Sequence, residues 1–65
     1  MNIRVSVKLE GMPAEAKQSI RCLIESCWGE DVAISDSVVE ATFESALNVV
    51  AFAKGLRDIE RKHNL

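Results

Sequence analysis

From Ile3 to Glu10 every second residue is apolar: Ile3, Val5, Val7 and Leu9 alternate with Arg4, Ser6, Lys8 and Glu10. A period of two, rich in β-branched side chains, is the pattern of a strand with one dry and one wet face. Such a strand is not stable alone. It needs neighbours in a sheet and a layer over its dry face, and the residues after Glu10 must supply both.

They do so in a readable order. Gly11 breaks the alternation, and Pro13 suits the first position of a helix, where its missing N–H costs nothing. Ala16, Ile20, Leu23, Ile24 and Cys27 then recur at helical spacing, with Lys17, Arg21 and Glu25 on the other side. Gly29, after Trp28, is placed for a left-handed C-cap. Val32 and Ile34 begin a short second strand, and Ser35-Asp36-Ser37 is a turn cluster. Val39, Ala41 and Phe43 alternate with polar residues as a third strand. Ser45 is an N-cap for a last helix from Ala46 to about Lys62, whose inward stripe is Val49, Phe52, Ala53, Leu56 and Ile59.

An antiparallel pairing of strands one and three with Arg4 opposite Glu44 also sets Lys8 opposite Glu40 and Ser6 opposite Thr42. On the dry face it sets Val5, Val7 and Leu9 opposite Phe43, Ala41 and Val39. A right-handed crossover through the first helix then leaves strand three in the middle. The expected fold is α+β: one βαββα interaction domain over residues 1–65, a three-stranded sheet of order 1-3-2 with both helices on one face. It is a ferredoxin-like fold without the fourth strand.

With 8 basic and 10 acidic residues the chain has no field suited to a phosphate backbone, and the outer sheet face carries no aromatic stacking platform. Direct nucleic-acid binding is therefore not expected. Met1-Asn2-Ile3-Arg4 does not read as a secretion signal, and there is no long apolar run, so a cytoplasmic protein without membrane contact is expected. Cys22 and Cys27, five apart on one helix, are separated by roughly 140° around its axis, so they do not pair within it. They read as a solvent-side thiol and a small core filler.

No catalytic constellation emerges. His63 is the only histidine and falls near the C-terminus. Glu30-Asp31 and Glu40/Glu44 are the carboxylate pairs, and the second is already matched to Lys8 and Arg4. Gly11, Gly29 and Gly55 form no phosphate loop. A non-enzyme with no metal and no cofactor is expected.

Two features read as interaction surfaces. One is the open edge of strand one, Arg4, Val5, Ser6, Val7 and Lys8, where two copies could join as a continuous six-stranded sheet; in the competing reading Arg4 and Lys8 are charges that prevent such pairing. The other is the start of the last helix. Leu47, Val50 and Ala51 lie roughly 100–200° from Val49 on the wheel, outside the inward stripe. The helix is apolar nearly all round over its first two turns and then becomes charged outside at Lys54, Arg57, Asp58 and Arg61. This face therefore reads as covered by a larger protein partner, the alternative being ordinary isolated apolar residues at a surface. Trp28 either extends the patch or closes the core's edge.

The segment Val38-Val39-Glu40-Ala41-Thr42-Phe43-Glu44-Ser45-Ala46-Leu47, within this element order, resembles the small dimerising subunit of the KEOPS complex, a family that assists threonylcarbamoyl modification of tRNA. Strand one is compatible with the family; Asn48 stands where the family usually has Arg. The resemblance implies a dimeric accessory subunit whose helices pack on a catalytic subunit, with Leu47, Val50, Ala51 and Lys54 contributing. An alternative is a small phage- or plasmid-type protein that captures and inhibits a host factor, which needs the exposed helix but no dimer. A third is a small nucleic-acid-binding module, which would show salt-sensitive binding through Arg4, Lys8, Lys54 and Arg57.

Overall fold

A computed structural model describes residues 2–64. The elements run β1 (Ile3–Lys8), α1 (Ala14–Ser26), β2 (Glu30–Ile34), β3 (Val38–Phe43) and α2 (Ala46–Lys62). The sheet order is β1-β3-β2, with β3 antiparallel to both neighbours. The α+β architecture is therefore as the sequence predicts.

One face of the sheet makes the core. Val39, Ala41 and Phe43 of β3 are buried together with Ile20 and Ile24 of α1 and Phe52 of α2. The Phe43 and Phe52 rings meet at a centroid distance of 5.3 Å, tilted at 32°, within the range where aromatic pairs attract beyond their area burial. Both helices thus lie on the Val39–Ala41–Phe43 face, which leaves Arg4, Glu40 and Thr42 on the other. At Gly55 the helices come close: an added Cβ would stand 2.5 Å from Cδ1 of Leu23.

The strand register differs from the expected one by two residues. Arg4 stands opposite Thr42, Ser6 opposite Glu40, Val5 opposite Ala41 and Val7 opposite Val39. A shift of two preserves which face each side chain takes, so the core set is unaffected while the charge pairs change. The reason lies at both ends of β3. Glu44 is outside the strand because Ser45 caps α2, its hydroxyl accepting from the Asn48 N–H at 3.3 Å. At the other end Leu9 has left β1 to plug the core, and its N–H donates to the Ser37 carbonyl at 2.7 Å. The pairs Arg4–Glu44 and Lys8–Glu40 are therefore not made.

Three further expectations need correcting. Pro13 is the N-cap of α1, one position before the helix, where the Lys17 N–H donates to its carbonyl at 3.2 Å. The left-handed residue that ends α1 is Trp28, with φ of 64°, not Gly29. The Trp28 N–H donates to Glu25 O at 3.2 Å and the Gly29 N–H to Ile24 O at 2.8 Å, the paired bonds of a Schellman motif. Gly29 is required by space instead, since a Cβ there would sit 2.4 Å from Cγ2 of Ile24. Finally, Ala53 is exposed, on the flank of α2, while Val49, Phe52, Leu56 and Ile59 face the core.

Candidate functional site

β1 is a six-residue strand with β3 on one side and no strand on the other. Its exposure alternates along its whole length: Arg4, Ser6 and Lys8 are exposed, and Ile3, Val5 and Val7 are half-buried at the open margin of the core. The five residues marked in the sequence, Arg4 to Lys8, are therefore together on one unpaired edge. No bulge interrupts it.

Arg4 does not guard that edge. Its guanidinium turns across the outer face, away from the open side. One nitrogen donates to the Thr42 hydroxyl at 2.9 Å and to the Asp31 backbone carbonyl at 2.7 Å; the other lies 3.7 Å from the Glu40 carboxylate. One side chain thus spans all three strands. Asp31 itself has φ of 52°, at an irregularity where β2 slips by one residue against β3 between Glu30 and Ala33. This is the behaviour of a bulge that bends an edge strand. The two edges of the sheet are consequently unequal: β1 is regular, and β2 is kinked.

The second predicted surface is on α2. Leu47 is 81% exposed and Val50 51% exposed, with Ala51 and Lys54 also in solvent. One turn after Lys54 the same outer side becomes charged at Arg57, Asp58 and Arg61. An amphipathic helix normally has a polar outer face; here the first two turns are apolar on both sides.

Trp28 is 76% exposed, which excludes the reading that it closes the edge of the core. α1 ends and α2 begins at the same end of the fold, since Gly29 backs onto the Phe43 ring and α2 starts directly after Phe43. Trp28 therefore shares that end with Leu47. A bulky side chain in the left-handed region costs on the order of 1 kcal/mol relative to glycine. An exposed Trp held there gains no burial in return.

Two exposed apolar residues were not anticipated as a surface. Val32 and Ile34 of β2 alternate like core residues, yet every residue of β2 is exposed. The two cysteines divide as expected, Cys22 exposed and Cys27 buried. Among the described residues no group of three or more His, Cys, Asp or Glu side chains could hold a metal ion, and no helix is long and apolar enough to cross a membrane. No protein-family model, curated protein or solved structure matches the chain.

Proposed function

We propose that the chain is a non-catalytic interaction subunit that homodimerises through the edge of β1 and docks a larger protein on the outer face of α2. The observation that carries the reading is the exposure of Leu47 and Val50 on a helix whose opposite side is already seated on the sheet. Among the described residues nothing covers that face, and contiguous apolar surface on a small protein marks a binding site. The dimer is supported by the regular, unpaired β1 edge, with Arg4 drawn away from it and Ile3, Val5 and Val7 half-open beside it. Pairing two such edges satisfies backbone groups and narrows an open core margin at the same time.

The experiment is mass in solution by light scattering, on the wild type and on Ser6→Pro, which removes an N–H on the open side of β1 and leaves the bonds to β3 in place. A doubled mass that falls to the monomer in the variant is expected. A wild type that stays monomeric at high concentration overturns the dimer. In the KEOPS-like form of this proposal, which rests on residues 38–47, the larger protein is the catalytic subunit of such a complex. Co-expression with that subunit should then give a stable complex that Leu47→Asp abolishes.

A further inference from the structure

We infer, on the basis of the β1 homodimer proposed above, that the second copy sits in one register, with the two-fold axis at Val5. This register brings α2 of each copy against α2 of the other through Ala46 and Ala53.

The backbone fixes what the β1 edge can offer. The Leu9 N–H donates to the Ser37 carbonyl, continuing the register in which Val5 faces Ala41 and Val7 faces Val39. The direction of hydrogen bonding alternates along an antiparallel strand. Ile3, Val5 and Val7 therefore turn their backbone groups to β3, and Arg4, Ser6 and Lys8 turn theirs to the open side. Pairing must occur among these even-numbered residues, which leaves two-fold registers centred on Arg4, Val5, Ser6 or Val7.

Charge and length choose among them. Centring on Arg4 sets Arg4 against itself, and centring on Ser6 sets Arg4 against Lys8 twice. Like charges directly opposite are unfavourable. Centring on Val7 needs Leu9 and Glu10 extended, whereas the chain turns there, the Met12 N–H donating to the Leu9 carbonyl at 3.1 Å. Centring on Val5 sets Val5 against Val5, Ile3 against Val7, Arg4 against Ser6 and Lys8 against Asn2. Every facing pair on the core side is then apolar and half-buried, and no two charges stand directly opposed.

The helix layer fits the same axis. α2 lies against both β1 and β3. α1 is on its β2 side, where Leu23 backs onto Gly55 and Ile24 borders Val32 and Ile34. A helix seated between β1 and β3 is about one strand spacing, roughly 4.8 Å, from an axis half a spacing beyond β1. Two such helices stand about 10 Å apart, the separation at which helices pack. An axis normal to the sheet keeps the helices on one face and sets the two α2 antiparallel. At about 100° per residue, Ala46 and Ala53 lie across the wheel from Gly55, on the flank that faces the axis. Both are exposed, and their small side chains admit the approach. Arg57 and Glu60, further along the flank, carry opposite charges and add no net repulsion. Leu47 and Lys54 point outward and stay free for the larger protein.

The test uses the full chain carrying Cys22→Ser, which leaves buried Cys27 as the one native thiol. Val5→Cys, Ser6→Cys and Val7→Cys are added one at a time, oxidised with copper phenanthroline and run on a non-reducing gel. Val5→Cys is expected to cross-link, since a facing pair of this kind stands about 4.5 Å apart at Cα, within disulfide reach. Ser6→Cys and Val7→Cys should not, being separated by roughly 8 Å and 14 Å. A dimeric mass with cross-linking at Ser6→Cys or Val7→Cys but not at Val5→Cys overturns the register and leaves the homodimer standing. A monomeric mass overturns both. In wild-type dimer mixed from isotope-labelled and unlabelled copies, contacts between Ile3 and Val7 methyls of different copies are expected; their absence overturns the register without any variant. Ala53→Arg should raise the dimer dissociation constant at least about tenfold, while Asp58→Asn, on the outward side, leaves it unchanged. An unchanged constant in Ala53→Arg overturns the helix contact.

Discussion

The guanidinium of Arg4 donates a 2.7 Å hydrogen bond to the backbone carbonyl of Asp31, reaching from one edge strand over the central strand to the other. Asp31 is in the left-handed region at the irregularity of β2. The contact therefore ties the regular edge to the kinked one, and both ends of the tie have consequences that can be measured.

Arg4→Met keeps much of the aliphatic stem but removes the bonds to Asp31 and Thr42 and the ion pair with Glu40. The groups are solvent-exposed, so the expected loss is about 0.5–1.5 kcal/mol in urea unfolding. Arg4→Lys should recover only part of this, since an ammonium does not reproduce the fork. Hydrogen exchange should quicken most at the β2 amides. Unchanged protection of β2 in Arg4→Met would show that the tie does not hold the kink.

Trp28→Gly relieves a bulky residue at φ of 64°. An increase of about 1 kcal/mol in stability is expected, read as a higher midpoint in thermal or urea unfolding. If Trp28 belongs to the docking surface on its end of the fold, partner affinity should drop in the same variant. Opposite movement of stability and affinity separates a strained contact residue from a structural one.

Gly55→Ala sets two effects against each other. Alanine improves helix propensity by about 1 kcal/mol, but its Cβ would fall 2.5 Å from Leu23 Cδ1 and 2.8 Å from Cδ2. Both are methyls at the far end of a flexible, half-buried side chain, so Leu23 can turn aside and the clash mainly offsets the propensity gain; a net change within about 1 kcal/mol is expected. In a Leu23→Ala background the same change should become stabilising. A double-mutant cycle by urea unfolding measures the coupling, and additivity would show that the two helices do not touch there.

Leu47→Asp and Val50→Asp alter exposed positions and should change stability by no more than about 0.5 kcal/mol. Solubility should rise. A large loss of stability in either variant would mean that the monomer already buries these side chains.

Much of this fold was legible because two alternating segments, Ile3–Leu9 and Val39–Phe43, fix which side chains go inward. That parity survives a two-residue slip, so the core and the strand order follow from the pattern while the cross-strand partners do not. Register is set by where Ser45 caps α2 and where Leu9 meets Ser37, neither of which hydrophobic spacing records. The Leu47/Val50 face was legible for a related reason: a helical wheel separates it from Val49 and Phe52. The open β2 face at Val32 and Ile34 was not, since alternation alone reads both as core residues. Their exposure depends on where α1 sits over the sheet. Trp28 illustrates the opposite failure, with a neighbouring glycine drawing the left-handed conformation to the wrong residue on paper.

The central position of β3 also governs the order in which the molecule can be built. β1 ends at Lys8, while the strand it pairs with is complete only at Phe43. At elongation rates of about 5–20 residues per second, β1 waits roughly 2–7 s without a sheet partner. During synthesis α1 can wind locally, but no strand has its neighbour until the Ser35–Val38 turn brings β3 beside β2. The β2–β3 hairpin closes the shortest loop in the sheet and β1–β3 the longest, so β1 is expected to join after β2 and β3 have paired.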